Sequence, residues 1–91
     1  MADRLSPEEI ENRRPPGWTR EGDTLVKTFE FDDYLDGVSF AAEVGELAEA
    51  EFHHPTIVIE YETVDVQFTT HETGGITERD IEMAELVSDL R

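Results

Sequence analysis

The sequence predicts an α+β fold: a four-stranded antiparallel sheet with helices packed on one face, in the order α-β-β-α-β-β-α. Three observations predict it. Strand-like runs occur in two pairs, within Gly17–Phe31 and within Thr56–Thr70, rich in the β-branched and aromatic residues that suit a pleated surface. Two segments, Asp33–Glu51 and Glu78–Leu90, carry apolar residues at helical spacing. A third, short helix is announced by Ser6-Pro7-Glu8-Glu9. Antiparallel strands with segregated helices are the economical way to cover one sheet face. The 91 residues suit a single domain, 1–91.

Met1–Arg4 is expected to be frayed. Ser6 then caps a helix with Pro7 at its first position and Glu9 three residues after the cap, and Leu5 and Ile10 are placed to staple it. Pro15-Pro16 ends the helix by Arg14. Gly17–Arg20 starts a short strand, Glu21-Gly22-Asp23 turns the chain, and Thr24–Phe31 returns with Leu25, Lys27, Phe29 and Phe31 on one face. Asp32 is placed to cap the long helix, whose stripe is Phe40, Val44, Leu47 and Ala48, with Gly37, Ala41 and Glu51 at its margins. Glu43, Glu46 and Glu49 look like a solvated acidic edge. In the second hairpin Ile57, Ile59 and Tyr61 share a face, as do Val64, Val66 and Phe68. A two-residue turn at Glu62-Thr63 sets Tyr61 against Val64, Ile59 against Val66 and Ile57 against Phe68, which makes the apolar faces coincide. Carried outward, that register sets His54 opposite His71. Gly74-Gly75 breaks the chain, and Thr77 caps the last helix, with Asp80 in the capping-box position usually held by Glu or Gln.

Asp and Glu number 23 against 7 Lys and Arg, for a formal charge of -16. Such an excess repels nucleic-acid phosphates and anionic lipid, so neither nucleic acid nor membrane is an expected partner. It suits a protein adapted to high salt, where screening removes the self-repulsion. With no cysteine, a disulfide framework and a thiolate metal site are excluded. No apolar run approaches a membrane span of about 20 residues, and MADRLSPEE lacks a signal-peptide core, so a cytoplasmic location is expected.

All three histidines, His53, His54 and His71, fall within Glu49–Asp80. Imidazole exchanges protons near neutrality without a perturbed pKa, which makes this stretch the place to look for chemistry. Three histidines with nearby carboxylates are also metal-ligand types. Adjacent side chains on an extended chain point to opposite faces, however, so His53 and His54 are poorly placed to share an ion. Trp18, the only tryptophan, reads as an ordinary core or rim aromatic.

His53-His54-Pro55, then Tyr61, then Thr70-His71-Glu72, then Thr77-Glu78-Arg79-Asp80 stand in this order, preceded by Glu49 and by Gly17-Trp18 with Glu21-Gly22. This ordered set resembles the pterin-4a-carbinolamine dehydratase family, from about Gly17 to the C-terminus. The resemblance implies a hydro-lyase that removes water from a 4a-hydroxytetrahydropterin, such as 4a-hydroxytetrahydrobiopterin, to give the quinonoid dihydropterin. It implies no metal and no organic cofactor, because the pterin nitrogen supplies the electrons that expel hydroxide. It implies His53, His54 and His71 as catalytic residues, with Asp80 and Glu49 tuning and holding the imidazoles. His54 and His71 are the expected proton-transfer pair, and His53 the orienting group; which histidine is acid and which is base stays open. Pro55, Thr70, Glu72 and Trp18 join the histidines as substrate-binding candidates, the backbone of Thr70 and Glu72 facing the pterin and Trp18 forming a wall. A homodimer or homotetramer is expected, since a small core gains from further burial and the family oligomerises through sheet edges and helices. The alternatives are a non-catalytic dimerisation module, as in animal relatives, and a relative serving molybdopterin or folate metabolism.

Overall fold

The computed structural model describes residues 3–91. The helices are α1 (Pro7–Arg13), α2 (Tyr34–Glu51) and α3 (Glu78–Ser88), and the strands are β1 (Thr19–Glu21), β2 (Thr24–Glu30), β3 (Thr56–Ile59) and β4 (Thr63–Phe68), in the order α1-β1-β2-α2-β3-β4-α3. All strand pairs are antiparallel, and the order across the sheet is β1-β2-β4-β3. The α+β fold expected from the sequence is the one found.

Register explains the layering. Leu25 pairs with Phe68, Lys27 with Val66 and Phe29 with Val64, so these side chains share one face. The apolar ones among them join Phe40, Val44, Ile81, Ala84 and Val87 of the helices in one buried core. The other face is polar, and on it Thr28 donates to Asp65 across the strands at 2.7 Å. Ile10 brings α1 into the same core, with Leu5 packed at its edge. Ser6 and Glu9 form the reciprocal capping box that Ser6-Pro7-Glu8-Glu9 foretold. Arg13 pairs with Glu78, tying α1 to the start of α3.

Four local expectations change. The β3–β4 turn is Tyr61-Glu62, closed by the Glu60 N–H donating to the Thr63 carbonyl at 2.8 Å. Ile59 therefore faces Val64 and Ile57 faces Val66, a slip of two residues that keeps the apolar faces together. The ladder stops at Thr56↔Gln67, so nothing in the pairing sets His54 against His71. Asp33, not Asp32, occupies the α2 N-cap, without a side-chain hydrogen bond. Frayed residues were expected at 1–4. Met1 and Ala2 lie outside the described residues, but Arg4 reaches the Gly74 carbonyl at 3.4 Å, and the Leu5 N–H donates to the Ile76 carbonyl at 2.8 Å. The N-terminal segment is thus laid against the loop before α3.

Candidate active site

The site forms where the C-terminus of α2, the end of β4 and the N-terminus of α3 meet. Its centre is Asp80. This carboxylate is fully buried, and both of its oxygens are hydrogen-bonded. Its Oδ2 accepts from the Thr77 backbone N–H at 2.9 Å and from the Thr70 hydroxyl at 2.8 Å. Its Oδ1 lies 2.6 Å from Nε2 of His53. A buried carboxylate is tolerated when its lone pairs are satisfied in this way. Asp80 is at once the capping-box residue of α3 and the partner of an imidazole, the two roles its position in the sequence allowed.

His53 is mostly buried, its side chain 13% exposed. Its ring lies parallel to Phe68, at 9° and 5.9 Å between centroids, and Phe68 in turn packs on Trp18 at 6.0 Å. Imidazole, phenyl and indole thus follow one another from the site into the core. Trp18 is fully buried, and its indole N–H donates to Ser88 at 2.8 Å. It is a core residue behind the site, with no surface to offer as a substrate wall.

His54 points elsewhere. Its Nε2 lies 2.5 Å from Glu49 Oε2, and both side chains are largely exposed. The resemblance has Glu49 hold an imidazole without saying which; the structure gives it His54. The cause is Phe52, which ends α2 in the left-handed conformation, φ 58° and ψ 42°. The reversal turns His53 toward α3 and leaves His54 facing back along α2.

His71 is exposed on the turn that follows Thr70. That turn is closed at its base: Thr70 and Gly75 form a bridge, and the Thr70 carbonyl accepts from the N–H groups of Thr73, Gly74 and Gly75. Thr70 was a candidate for backbone contact with the substrate, but its N–H and carbonyl are both engaged within the turn, and its hydroxyl belongs to Asp80. Glu72 is exposed beside His71, and Pro55 is half-buried. Gly75 is tightly covered, since a Cβ there would meet the Arg4 side chain at 2.9 Å. Arg79, which the sequence reading did not single out, donates to the carbonyls of Glu51 and Phe52 at 2.8 and 3.3 Å. It supplies the cation that the last turn of α2 lacks and ties the histidine segment to α3.

Two open hollows lie at the opposite end of the sheet. One of about 450 Å³ is lined by Glu30, Phe31, Asp32, Glu62, Thr63 and Arg91, and one of about 400 Å³ adjoins it along α2. Neither contains a histidine. The groups able to move protons, His53, His54 and His71, lie at the other end. Among the described residues, no three His, Asp or Glu side chains are grouped as metal ligands would be.

Residues 3–90 match the family described as pterin 4 alpha carbinolamine dehydratase. The chain belongs to the pterin-4a-carbinolamine dehydratase family. It is 50% identical, over 91 residues and the full length of both chains, to a protein of Halobacterium salinarum provisionally named pterin-4-alpha-carbinolamine dehydratase. A protein of Natronomonas pharaonis with the same provisional name is 50% identical over 90 residues, 99% of this chain and 98% of that one. Among solved structures, a transcriptional coactivator/pterin dehydratase from Brucella melitensis superposes with a TM-score of 0.89 at 32% identity, covering 97% of this chain and 98% of that one. No described helix is long and apolar enough to cross a membrane.

Proposed function

We propose that this protein is a dehydratase that converts a 4a-hydroxytetrahydropterin to the quinonoid dihydropterin in pterin recycling, by histidine acid–base catalysis. In that reaction the bond from the 4a carbon to the hydroxyl oxygen breaks. The adjacent ring nitrogen gives up its proton, and its electrons form the new C=N bond. The leaving hydroxide takes a proton and departs as water. One base and one acid, each within reach of the ring, are what the reaction asks of the protein.

The observation that carries the reading is the bond between His53 and the buried Asp80. A carboxylate accepting from Nε2–H fixes the tautomer, so the lone pair sits on Nδ1. It also steadies the imidazolium that forms when Nδ1 takes a proton, the role an aspartate plays beside a catalytic histidine in other folds. We assign His53 as the base for the ring nitrogen proton. His71, carried on the turn whose root is held by the same carboxylate, is the acid for the leaving hydroxyl. His54, steadied by Glu49, binds and orients the pterin. This exchanges the roles the hairpin register had suggested for His53 and His54.

The test is the enzyme-dependent rate of dehydration over the spontaneous loss of water, with the carbinolamine generated in situ. His53→Ala should lower that rate by about 10²–10⁴, the usual share of a general acid or base, with the circular dichroism of the fold retained. A folded His53→Ala protein with the wild-type rate would sink the mechanism.

The coactivator in the name of the Brucella melitensis structure supports a second reading, an interaction module. The acidic surface of this chain disfavours a partner that is itself acidic. A wild-type protein without any excess dehydration rate would leave that reading in place.

A further inference from the structure

Phe52 is the most exposed large apolar residue of the described chain, at 83%, and the only non-glycine residue among those described with positive φ. Neither property serves the core. A left-handed phenylalanine persists only where the surroundings over-determine it. Here the Phe52 and His53 N–H groups both donate to the Ala48 carbonyl, while Arg79 holds the Glu51 and Phe52 carbonyls. The backbone is fixed on both sides, and the ring stands free of the core, 6.1 Å from the His54 ring at 72°.

We propose that Phe52 is a substrate-binding residue: its ring is the platform on which one face of the pterin lies, and it sets affinity for the conjugated amidine–carbonyl portion of that ring system. The inference rests on the dehydratase reading above. Stacking is the use an exposed aromatic on a fixed backbone beside reactive groups is suited to, because the conjugated portion of a pterin has a face to offer. A pterin laid on Phe52 is brought alongside His54. A protein-docking role fits less well. Phe52 stands between Glu51 and the His54–Glu49 pair, with Arg79 at its carbonyl, and one aromatic among charges is not an apolar patch.

The experiment compares Phe52→Ala, Phe52→Leu, Phe52→Tyr and Phe52→Gly with wild type in the dehydration assay and in titrations with 7,8-dihydropterin. Phe52→Ala and Phe52→Leu should raise KM and the dihydropterin Kd about tenfold, the scale of one ring-on-ring contact, with kcat within about twofold. Phe52→Tyr should stay near wild type. Phe52→Gly should bind as weakly as the alanine variant yet melt no lower than wild type, because glycine accepts the left-handed backbone without strain. Wild-type KM and Kd in folded Phe52→Ala, an equal kcat loss with unchanged KM, or a fall in particle mass by light scattering that accounts for the weaker binding would each overturn the proposal. Wild-type protein that neither binds dihydropterin nor speeds dehydration would instead overturn the function on which it rests.

Discussion

His53 Nε2 and Asp80 Oδ1 lie 2.6 Å apart, joining the residue just past the end of α2 to the first turn of α3. Because Oδ2 of the same carboxylate caps α3 and receives Thr70, the proposed chemistry and the fold share one side chain. Asp80→Asn should disturb both. An amide keeps the shape but cannot accept from both His53 and the cap. Dehydration should fall by about 10²–10⁴, with a cooperative but lower melting transition. Asp80→Ala should also leave Thr70 and Thr77 without their partner, at about 2–4 kcal/mol in denaturant titrations. A wild-type rate in Asp80→Asn would show that His53 does not need its carboxylate.

Much of this arrangement can be read in the residues themselves. The capping chemistry of Ser6 and Thr77 is local, so the starts of α1 and α3 follow from four-residue windows. The long-helix stripe through Phe40, Val44 and Ala48 is equally local, and it is buried as expected. The hairpin register is not local: turns at Tyr61-Glu62 and at Glu62-Thr63 put the same residues on the same face, and only the packing chooses between them. The histidine partners were hidden for a different reason. Which carboxylate each histidine meets follows from the left-handed Phe52, and a phenylalanine gives no signal for a conformation that glycine usually takes. Trp18 could be placed in the core by its type, but its position behind Phe68 depends on the sheet order.

Salt should stabilise the protein. At a formal charge of -16, carboxylates repel across the whole surface, and in molar salt the screening length shrinks to about 3 Å. Relatives from the halophilic Halobacterium salinarum and Natronomonas pharaonis fit this adaptation. Unfolding followed by the emission of the buried Trp18 should move to higher temperature by several degrees between dilute buffer and molar potassium chloride. A midpoint independent of salt would refute the adaptation.

The capping box of α1 should give that helix its own acid limit. The Ser6 backbone N–H, then its hydroxyl, hold Glu9 below its ordinary pKa of 4.5, with Arg13 adding a smaller pull. A carboxylate lowered in the folded state contributes stability above its unfolded pKa and loses it as pH falls through the folded value. The protection of α1 amides, taken against the intrinsic exchange rate at each pH, should therefore fall below pH 4.5, ahead of that in β4. Glu9→Gln can keep the hydrogen bond without titrating, so it should flatten that response. An unchanged acid response in Glu9→Gln would place the titrating group elsewhere.

Strand β3 is an edge strand, and Val58, Ile59 and the neighbouring Tyr61 are exposed. Uncovered edges with apolar side chains invite pairing with another chain. Light scattering in molar salt should give a mass above the 10.4 kDa of one chain, and Val58→Lys should lower it. A wild-type monomer at micromolar concentration would show that the edge stays open.

The double duty of Asp80 bears on how the protein can fail. A substitution at 80 damages a helix cap and, in the proposed mechanism, a proton-transfer group together, so its first symptom in a cell is scarcity: losses of about 1–2 kcal/mol reduce abundance several-fold. Substitutions at His54 or His71, which are exposed, should leave the fold alone and, on the proposed mechanism, yield plentiful, idle protein. The level at which a damaged variant accumulates thus tells which half of the site was hit, before any rate is measured.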